Sequence, residues 1–439
     1  MTLCHVHQRF HAVGHGTFFT GLIKSNSGVD FNWVYDCGSK RSTLVHQAVD
    51  DMTKWKMWTN IIDMLVVSHF DDDHVNGLEY LLQSCRVKWL VLPYSDWAQR
   101  LREVAIGGLK GVSASTAYFQ LDPLGWLASR QLAGRVSGIL LVRGGFNNNE
   151  APPLDLTPLP LNPVQEGERV ARVNVTASEQ ALLSDLRMGS QNTSSSVKVQ
   201  VHLHQNPVRA DSALMELMFY NAELTSTQLG IIEENALGEL VAKKSKIRLN
   251  QVKQDIDNTI TVLGLHRPNI VLISDWRAKL KACYEKHFGS TGKAKNNISL
   301  CLYTGPLPHH YKPEICSIFS QPFSKMVPCL GMTPNFDFSR PAVLCTGDLR
   351  LNNAVIQAMK AHFGTRRWNQ IGLTQVPHHG SNHSWVKGNA SLLAPSYFVH
   401  CASGSSKHPH PDVIKDLNGH NVFTACYKSA VTLNYHFRQ

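Results

Sequence analysis

The sequence predicts an α/β layered fold whose two halves flank a large insertion. Three observations predict it. Apolar runs of strand length alternate with helix-spaced apolar patterns at both ends of the 439-residue chain, the rhythm of a layered α/β domain. The run at residues 62–68 is apolar with little alternation, as a strand buried on both faces reads. The middle breaks this rhythm with a Pro-rich polar stretch at 151–167 and a Ser/Thr/Asn stretch at 191–196, both of loop composition.

The elements follow in order. Residues 17–23 and 31–36 read as a strand pair around Asn26, Ser27 and Gly28. Residues 42–60 read as a helix, with Ser42 as its cap and apolar residues at helical spacing. The strand at 62–68 leads into a helix at 75–85 and a strand at 87–92. Toward the C-terminus, residues 298–303, 342–346, 371–376 and 397–401 read as strands, and 353–363 and 411–417 as helices. Between these halves, Leu249, Val252, Ile256, Ile260 and Leu263 recur at helical spacing, and 197–204 has the look of a strand. The expected organisation is a core first half at 1–100, an insertion at 101–290, mixed and partly helical, and a core second half at 291–439.

Bulk properties exclude several classes. A hydrophobic fraction of 43% leaves enough apolar material for a large core. No apolar run reaches the roughly 18–20 residues a membrane span needs, and the His-rich start lacks the apolar region of a secretory signal. The expectation is a soluble, cytoplasmic protein. Its ten cysteines are scattered and form no C-x-x-C pair, which argues against both a disulfide framework and a thiolate zinc site. The formal charge of +10 favours anionic partners such as nucleic acid. Residues 243–295 carry a net +8 of that total. Lys243, Lys244, Lys246 and Arg248 open this stretch and are the candidate nucleic-acid contacts; the competing reading is an ordinary solvated helix face.

The most informative segment is Val66-Val67-Ser68-His69-Phe70-Asp71-Asp72-Asp73-His74-Val75-Asn76-Gly77. A buried strand ends here and a helix begins, and ligand-binding groups gather at such strand ends in α/β folds. Three consecutive carboxylates beside two imidazoles repel one another unless a cation neutralises them. His and Asp donors suit zinc, manganese or iron. Helix capping alone needs one Asp and not this set.

The segment resembles the H-x-H/D-x-D-H signature of metallo-β-lactamase-like hydrolases. With Asp71 in the second position it is closest to the soluble nuclease-like domain of bacterial DNA-uptake competence proteins. Other segments match in the same order: Val13-Gly14-His15-Gly16-Thr17, Tyr35-Asp36-Cys37-Gly38, Asn297-Ile298-Ser299-Leu300, Thr346-Gly347-Asp348, Val376-Pro377-His378-His379-Gly380-Ser381 and His408-Pro409-His410-Pro411. About 190 residues in the middle have no counterpart. The resemblance implies a four-layer αββα sandwich and one or two divalent metal ions. His69 and Asp71 would hold the first ion, and Asp73 and His74 the second. Asp348 would bridge them and His378 would complete the second site. His379, His408 and His410 would line the reaction centre together with Asp73, while Asp36 and Ser381 would support the ligands from behind. Asp71 in place of His hardens the first position, favouring manganese or magnesium, with zinc still compatible. The family's further His ligand, between the first motif and Thr346-Gly347-Asp348, has no single claimant: His202, His204, His266, His287, His309 and His310 all lie in the interval.

These features lead to a metal-dependent phosphodiesterase or nuclease acting on DNA or RNA through an activated water. Two alternatives stand beside it. The same site could cleave a small phosphoester or cyclic nucleotide, or a lactone or amide, since fold does not settle substrate. Or the insertion could dock a protein partner in a multi-protein, defence-type system, with the metal site structural.

Overall fold

The computed structural model describes residues 3–25, 28–107, 112–144, 197–209, 215–222, 226, 229–267, 275–290, 299–307, 315–322, 340–403 and 407–438. The stretches at 151–167 and 191–196, Asn26 and Ser27 of the first turn, Asn297 and Ile298, His309 and His310, and the end of the basic stretch lie outside the described residues. The strands are β1 (Leu3–Phe10), β2 (Phe18–Ser25), β3 (Gly28–Cys37), β4 (Ile61–Val66), β5 (Arg86–Pro93), β6 (Val136–Arg143), β7 (Lys198–Leu203), β8 (Val208–Arg209), β9 (Met215–Asn221), β10 (Ile232–Glu234), β11 (Leu240–Ala242), β12 (Leu300–Pro306), β13 (Ile315–Pro322), β14 (Ala342–Cys345), β15 (Ile371–Gln375), β16 (Tyr397–Cys401), β17 (Val422–Ala425) and β18 (Ser429–Arg438). The helices are α1 (Ser42–Lys54), α2 (Asp72–Val75), α3 (Leu78–Ser84), α4 (Trp97–Gly107), α5 (Ala114–Leu121), α6 (Pro123–Ser129), α7 (Leu249–Leu263), α8 (Trp276–Phe288), α9 (Asn353–Gln370), α10 (Asn389–Leu393) and α11 (Pro411–Asp416).

The α/β class is present as two mixed sheets. The nine-stranded sheet runs β13-β18-β1-β2-β3-β4-β5-β6-β7 and the seven-stranded sheet β17-β16-β15-β14-β12-β9-β8; β10 and β11 form a separate hairpin. In the first sheet the pairs from β13 to β3 are antiparallel, and those from β3 to β7 are parallel. In the second, β14 to β17 are parallel. Among the described residues no helix is long and apolar enough to cross a membrane.

Side-chain alternation explains why these strands read as apolar on both faces. Met64 and Val66 of β4 join one core while Leu65 joins another, and Leu140 and Ile139 of β6 divide the same way. The core that takes Met64 and Val66 also takes Leu217 and Phe219 of β9, Leu302 of β12 and Val399 of β16, so it draws on both sheets. The other face of the first sheet shares a core with α1, whose Val45, Ala48, Val49 and Met52 lie at helical spacing, and with α3, α4, α7 and α8. The other face of the second sheet shares its core with Ile356, Met359 and Phe363 of α9.

Several boundaries differ from the sequence expectation, each for a local reason. The helix expected over 42–60 stops at Lys54, because Trp55 turns extended and its N–H caps Met52. The helix expected over 75–85 is interrupted at Gly77, whose N–H donates to the Cys37 carbonyl at 2.8 Å. The helix expected over 353–363 continues to Gln370, with a break at Gly364, where φ is 77°. The largest difference concerns the insertion. Residues 101–290 do not stand apart from the core: β6 and β7 extend the first sheet, and β9 pairs with β12 inside the second. Among the described residues of this segment, the regular elements outside both sheets are helices and the β10–β11 hairpin. The short run at 136–143, apolar throughout its centre, gives no periodicity by which a sequence could assign it to a sheet.

Candidate metal centre

The chemistry-bearing residues converge at the carboxyl ends of parallel strands in both sheets. Asp36 sits near the end of β3, with φ at 55°, a conformation that Asp tolerates better than most side chains. His69, Asp71, Asp73 and His74 follow β4, the last two on α2. Asp348 follows β14 after Gly347, and His378 and His379 follow β15. Both of these histidines have positive φ, 48° and 54°, and such strain persists only where the surroundings enforce it. Here the His378 N–H donates to the Gly347 carbonyl at 3.0 Å and the Ser381 N–H to the His378 carbonyl at 2.9 Å.

Two buried groups of His and Asp could hold a metal ion. One is His69, His74 and Asp348; the other is His15, Asp73 and His379. In the first, His69 Nε2 lies 3.4 Å and His74 Nε2 3.2 Å from the Asp348 carboxylate. His378 Nδ1 approaches the same carboxylate at 3.3 Å. In the second, His379 Nε2 and His15 Nε2 lie 3.4 and 3.7 Å from Asp73 Oδ2. The His74 and His379 ring centroids are 5.4 Å apart, so the groups adjoin. The buried atoms His69 Nε2, His74 Nε2, His379 Nε2 and Asp348 Oδ1 have no hydrogen-bond partner. Leaving such atoms unpaired is costly, and a cation in each group would satisfy all of them, so the donor sets fit metal ions.

The ligands are held from behind. The Asp36 carboxylate accepts from the Ser68 N–H and the Ser68 hydroxyl, each at 2.7 Å, and from His74 Nδ1 at 2.7 Å. Ser68 Oγ is 2.9 Å from His69 Nδ1. His379 Nδ1 donates to the Cys401 carbonyl at 2.6 Å. In each case one ring nitrogen is fixed and the other is turned toward the cluster, the usual way a protein orients metal-binding histidines. Glycine allows the close approach. A Cβ on Gly38 would lie 2.4 Å from the His74 backbone nitrogen and from the Asp73 carbonyl carbon. Gly38→Ala is therefore expected to push α2 away and lower stability by about 1–3 kcal/mol, read as a lower urea midpoint at unchanged m-value.

The electrostatics draw positive charge into the site. Burial alone would lower the His74 pKa, but the Asp36 and Asp348 carboxylates hold it well above the ordinary value. His69 is raised too: burial and His74 oppose this, and Asp348 and Asp71 prevail. Burial would raise Asp348, yet His378, His69 and His74 keep it well below the usual carboxylate range. Asp73 is lowered against burial by His379 and His74. At the rim, burial and the neighbouring His378 and His379 push His408 down to about 4. His15 falls to about 2 through burial, His379 and Lys40.

The structure brings together most of the residues singled out in sequence, in a different grouping. His69, His74 and Asp348 meet as one set. Asp73 faces His379 and His15 rather than sharing a set with His74, and His379 rather than His378 reaches Asp73. Asp71 stands at the edge, 3.8 Å from His69 Nε2. His408 lies beside His15 and His378, with ring centroids at 5.3 and 6.1 Å. Two expected site residues have other duties. His410 caps α11, its Nδ1 accepting from the Asp412 N–H at 3.2 Å, and its side chain points toward Asn382. The Ser381 hydroxyl accepts from the His383 N–H at 3.3 Å.

A Gly-flanked His in a turn carries no spacing signal, so the sequence does not mark His15 as a ligand; only the fold sets it against Asp73. The further His ligand is not supplied by His202, His204, His266 or His287. His202 bonds the Asn206 carbonyl, His204 stacks near His362, His266 lies beside Arg267 and His287 bonds Asp255.

Asp72 also has its own role. It accepts from the Ser113 N–H and hydroxyl, each at 2.9 Å, and from Thr116 Oγ1 at 2.5 Å, tying the turn that carries Asp71, Asp73 and His74 to the start of α5. The three consecutive carboxylates therefore do not all need a cation. Asp72→Ala is expected to cost about 1–3 kcal/mol of stability through these lost bonds while leaving metal stoichiometry unchanged, which metal analysis of the purified variant reads.

Several basic residues of this stretch are engaged locally. Lys246 pairs with Glu233, Arg248 Nε lies 3.0 Å from Glu239, and Lys244 Nζ donates to the Glu285 carbonyl at 2.8 Å. Lys279, Lys281 and Lys286 pair with Asp275, Glu285 and Asp255. Of the four candidates, Lys246 and Arg248 pair with acids, and Lys244 bonds a backbone carbonyl. No protein-family model matches the chain, and no curated protein matches it.

Proposed function

We propose that the chain is a metal-dependent phosphodiesterase of the metallo-β-lactamase-like type, built as a four-layer αββα sandwich. One observation carries the reading: two adjoining His/Asp groups, with buried imidazole and carboxylate atoms left without hydrogen bonds, lie where strand ends of both sheets meet. The layering is supported by three cores, one between the sheets and one beneath the helices on each outer face.

His69, His74 and Asp348 would hold one divalent ion, and His15, Asp73 and His379 a second, with manganese or zinc the best matches to these donors and magnesium also compatible. Bound cations would supply Lewis-acid stabilisation of the attacked phosphorus and lower the pKa of water. The chain's own residues do the rest. Asp36 and Ser68 fix His74 and His69 so that their Nε2 atoms converge. The Asp348 carboxylate lies within reach of His69, His74 and His378 at once, so it would be the anionic donor on which the first group converges. His408, partly exposed at the rim, is placed to hydrogen-bond a phosphate oxygen of the substrate.

A nucleic acid is the first substrate to test, because the net positive charge favours a polyanion. A small phosphodiester is the second reading, favoured by the pairing of the basic residues with local acids. The deciding assay loads the protein with Mn, Mg or Zn and offers single-stranded DNA, supercoiled DNA and bis-p-nitrophenyl phosphate. Metal-dependent, chelator-sensitive cleavage of DNA is the expected result. Turnover of the small ester alone would move the assignment to the second reading, and inertness on all three would sink both.

A further inference from the structure

The molecule holds a third cluster of metal-binding side chains, and its chemistry differs from that of the first two. Cys283 and His287 are four residues apart on α8, so they share one helix face. Asp255 faces them from α7, and the ligand atoms of all three lie within 4.8 Å of one another. The cluster shares no residue with the candidate centre.

We propose that Asp255, Cys283 and His287 form a separate, thiolate-containing cation site that staples α7 to α8. Its donors are one sulfur, one imidazole nitrogen and one carboxylate oxygen, a combination that suits zinc rather than magnesium or calcium. The histidine is already oriented. Ser245 Oγ lies 3.2 Å from Nδ1, and Nε2 points to Asp255 Oδ2 at 2.7 Å. Its side chain is only 2% exposed. Burial pushes the Cys283 thiol up, and the Thr259 hydroxyl, donating to Sγ at 3.4 Å, partly offsets this, so a cation would be needed to hold the thiolate. The Lys286 ammonium, 2.6 Å from Asp255 Oδ2, supplies positive charge to the cluster in the metal-free state. Its side chain is 61% exposed, so it can turn to solvent when a divalent ion arrives. The sequence argued against a thiolate zinc site because no C-x-x-C pair exists; one cysteine joined to residues of two packed helices leaves no such signature.

Cobalt distinguishes this site from the first. A thiolate ligand gives cobalt an intense near-ultraviolet sulfur-to-metal charge-transfer band, which imidazole and carboxylate donors do not. The full chain, stripped by chelator, is titrated with Co(II). The band is expected to saturate at one ion per chain at this site and to persist in Asp73→Ala/Asp348→Ala. It is expected to vanish in Cys283→Ser and to need about tenfold or more higher cobalt in Asp255→Asn. Lys286→Met is expected to shift the titration the other way, to lower cobalt. Absence of the band, its survival in Cys283→Ser, or its loss with Asp73→Ala/Asp348→Ala overturns the proposal. Should Cys283→Ser fail to fold by circular dichroism, Asp255→Asn, which retains every cysteine, decides: an unshifted titration overturns the site and a shifted one supports it.

Discussion

Asp73→Ala combined with Asp348→Ala is expected to lower metal-dependent hydrolysis by on the order of 10³-fold or more, because several kcal/mol of charge stabilisation goes with the cations. Asp348 is the carboxylate that His69, His74 and His378 all approach, and Asp73 is the one that His15 and His379 approach. Each is therefore the anionic member of its group. The fold itself should survive. Asp348 is buried and Asp73 largely so, and taking a charge out of water carries its own penalty. Removing them relieves that penalty, and His69 and His74, held above their ordinary pKa partly by Asp348, shift back toward the neutral form once it is gone. The metal-free variant is thus expected to unfold within about 1 kcal/mol of the metal-free parent. What it should lose is the added stability that metal confers on the parent, which grows with the logarithm of ion concentration. Thermal melts with and without Mn or Zn, beside turnover on bis-p-nitrophenyl phosphate, read both effects. Undiminished activity in the double variant would end the assignment.

Asp36→Asn should show how far the site depends on one buried acceptor. The Asp36 carboxylate takes three hydrogen bonds, from the Ser68 N–H, the Ser68 hydroxyl and His74 Nδ1. This network keeps a proton on Nδ1 of His74, so that Nε2 is the nitrogen that would give its lone pair to a cation. Asparagine tolerates the positive φ at this position, so the backbone need not move. Its amide, however, offers N–H groups where the carboxylate offered a second oxygen. Facing His74 Nδ1, that N–H makes Nδ1 an acceptor and puts the ring proton on Nε2, where it blocks a cation. Metal affinity is expected to fall about 10–100-fold, with the midpoint of metal-dependent activity moving by the same factor. Asp36→Ala should be worse for the fold, because it strands two buried donors and a buried imidazole, at a cost of about 3–5 kcal/mol. Metal affinity in Asp36→Asn equal to the parent's would mean that His74 is oriented by other contacts.

Much of this was legible in the order of residues. The strand before His69 announces itself as an apolar run, and the packing of His, Asp, Asp, Asp and His into six positions has few uses other than a cation. Asp348, His378 and His379 come with their own turn signals, Gly347 and Gly380. The two helical patterns at α1 and α7 are visible because a face buried against a sheet repeats every three to four residues.

The sequence by itself determined that the chain is α/β, and that imidazoles and carboxylates stand at the ends of its buried strands. Local pattern is enough for that, since periodicity and turn chemistry act over a few residues. Only the tertiary structure decided the rest. It set His15 against Asp73 and His379, turned Asp72 away from the metal centre to anchor α5, gave His410 to a helix cap, and drew β6, β7 and β9 into the two sheets. It also set Asp255 beside Cys283 and His287. In each case the partners are distant in sequence or face apart along the chain, and only packing across sheets and helices brings their atoms within reach.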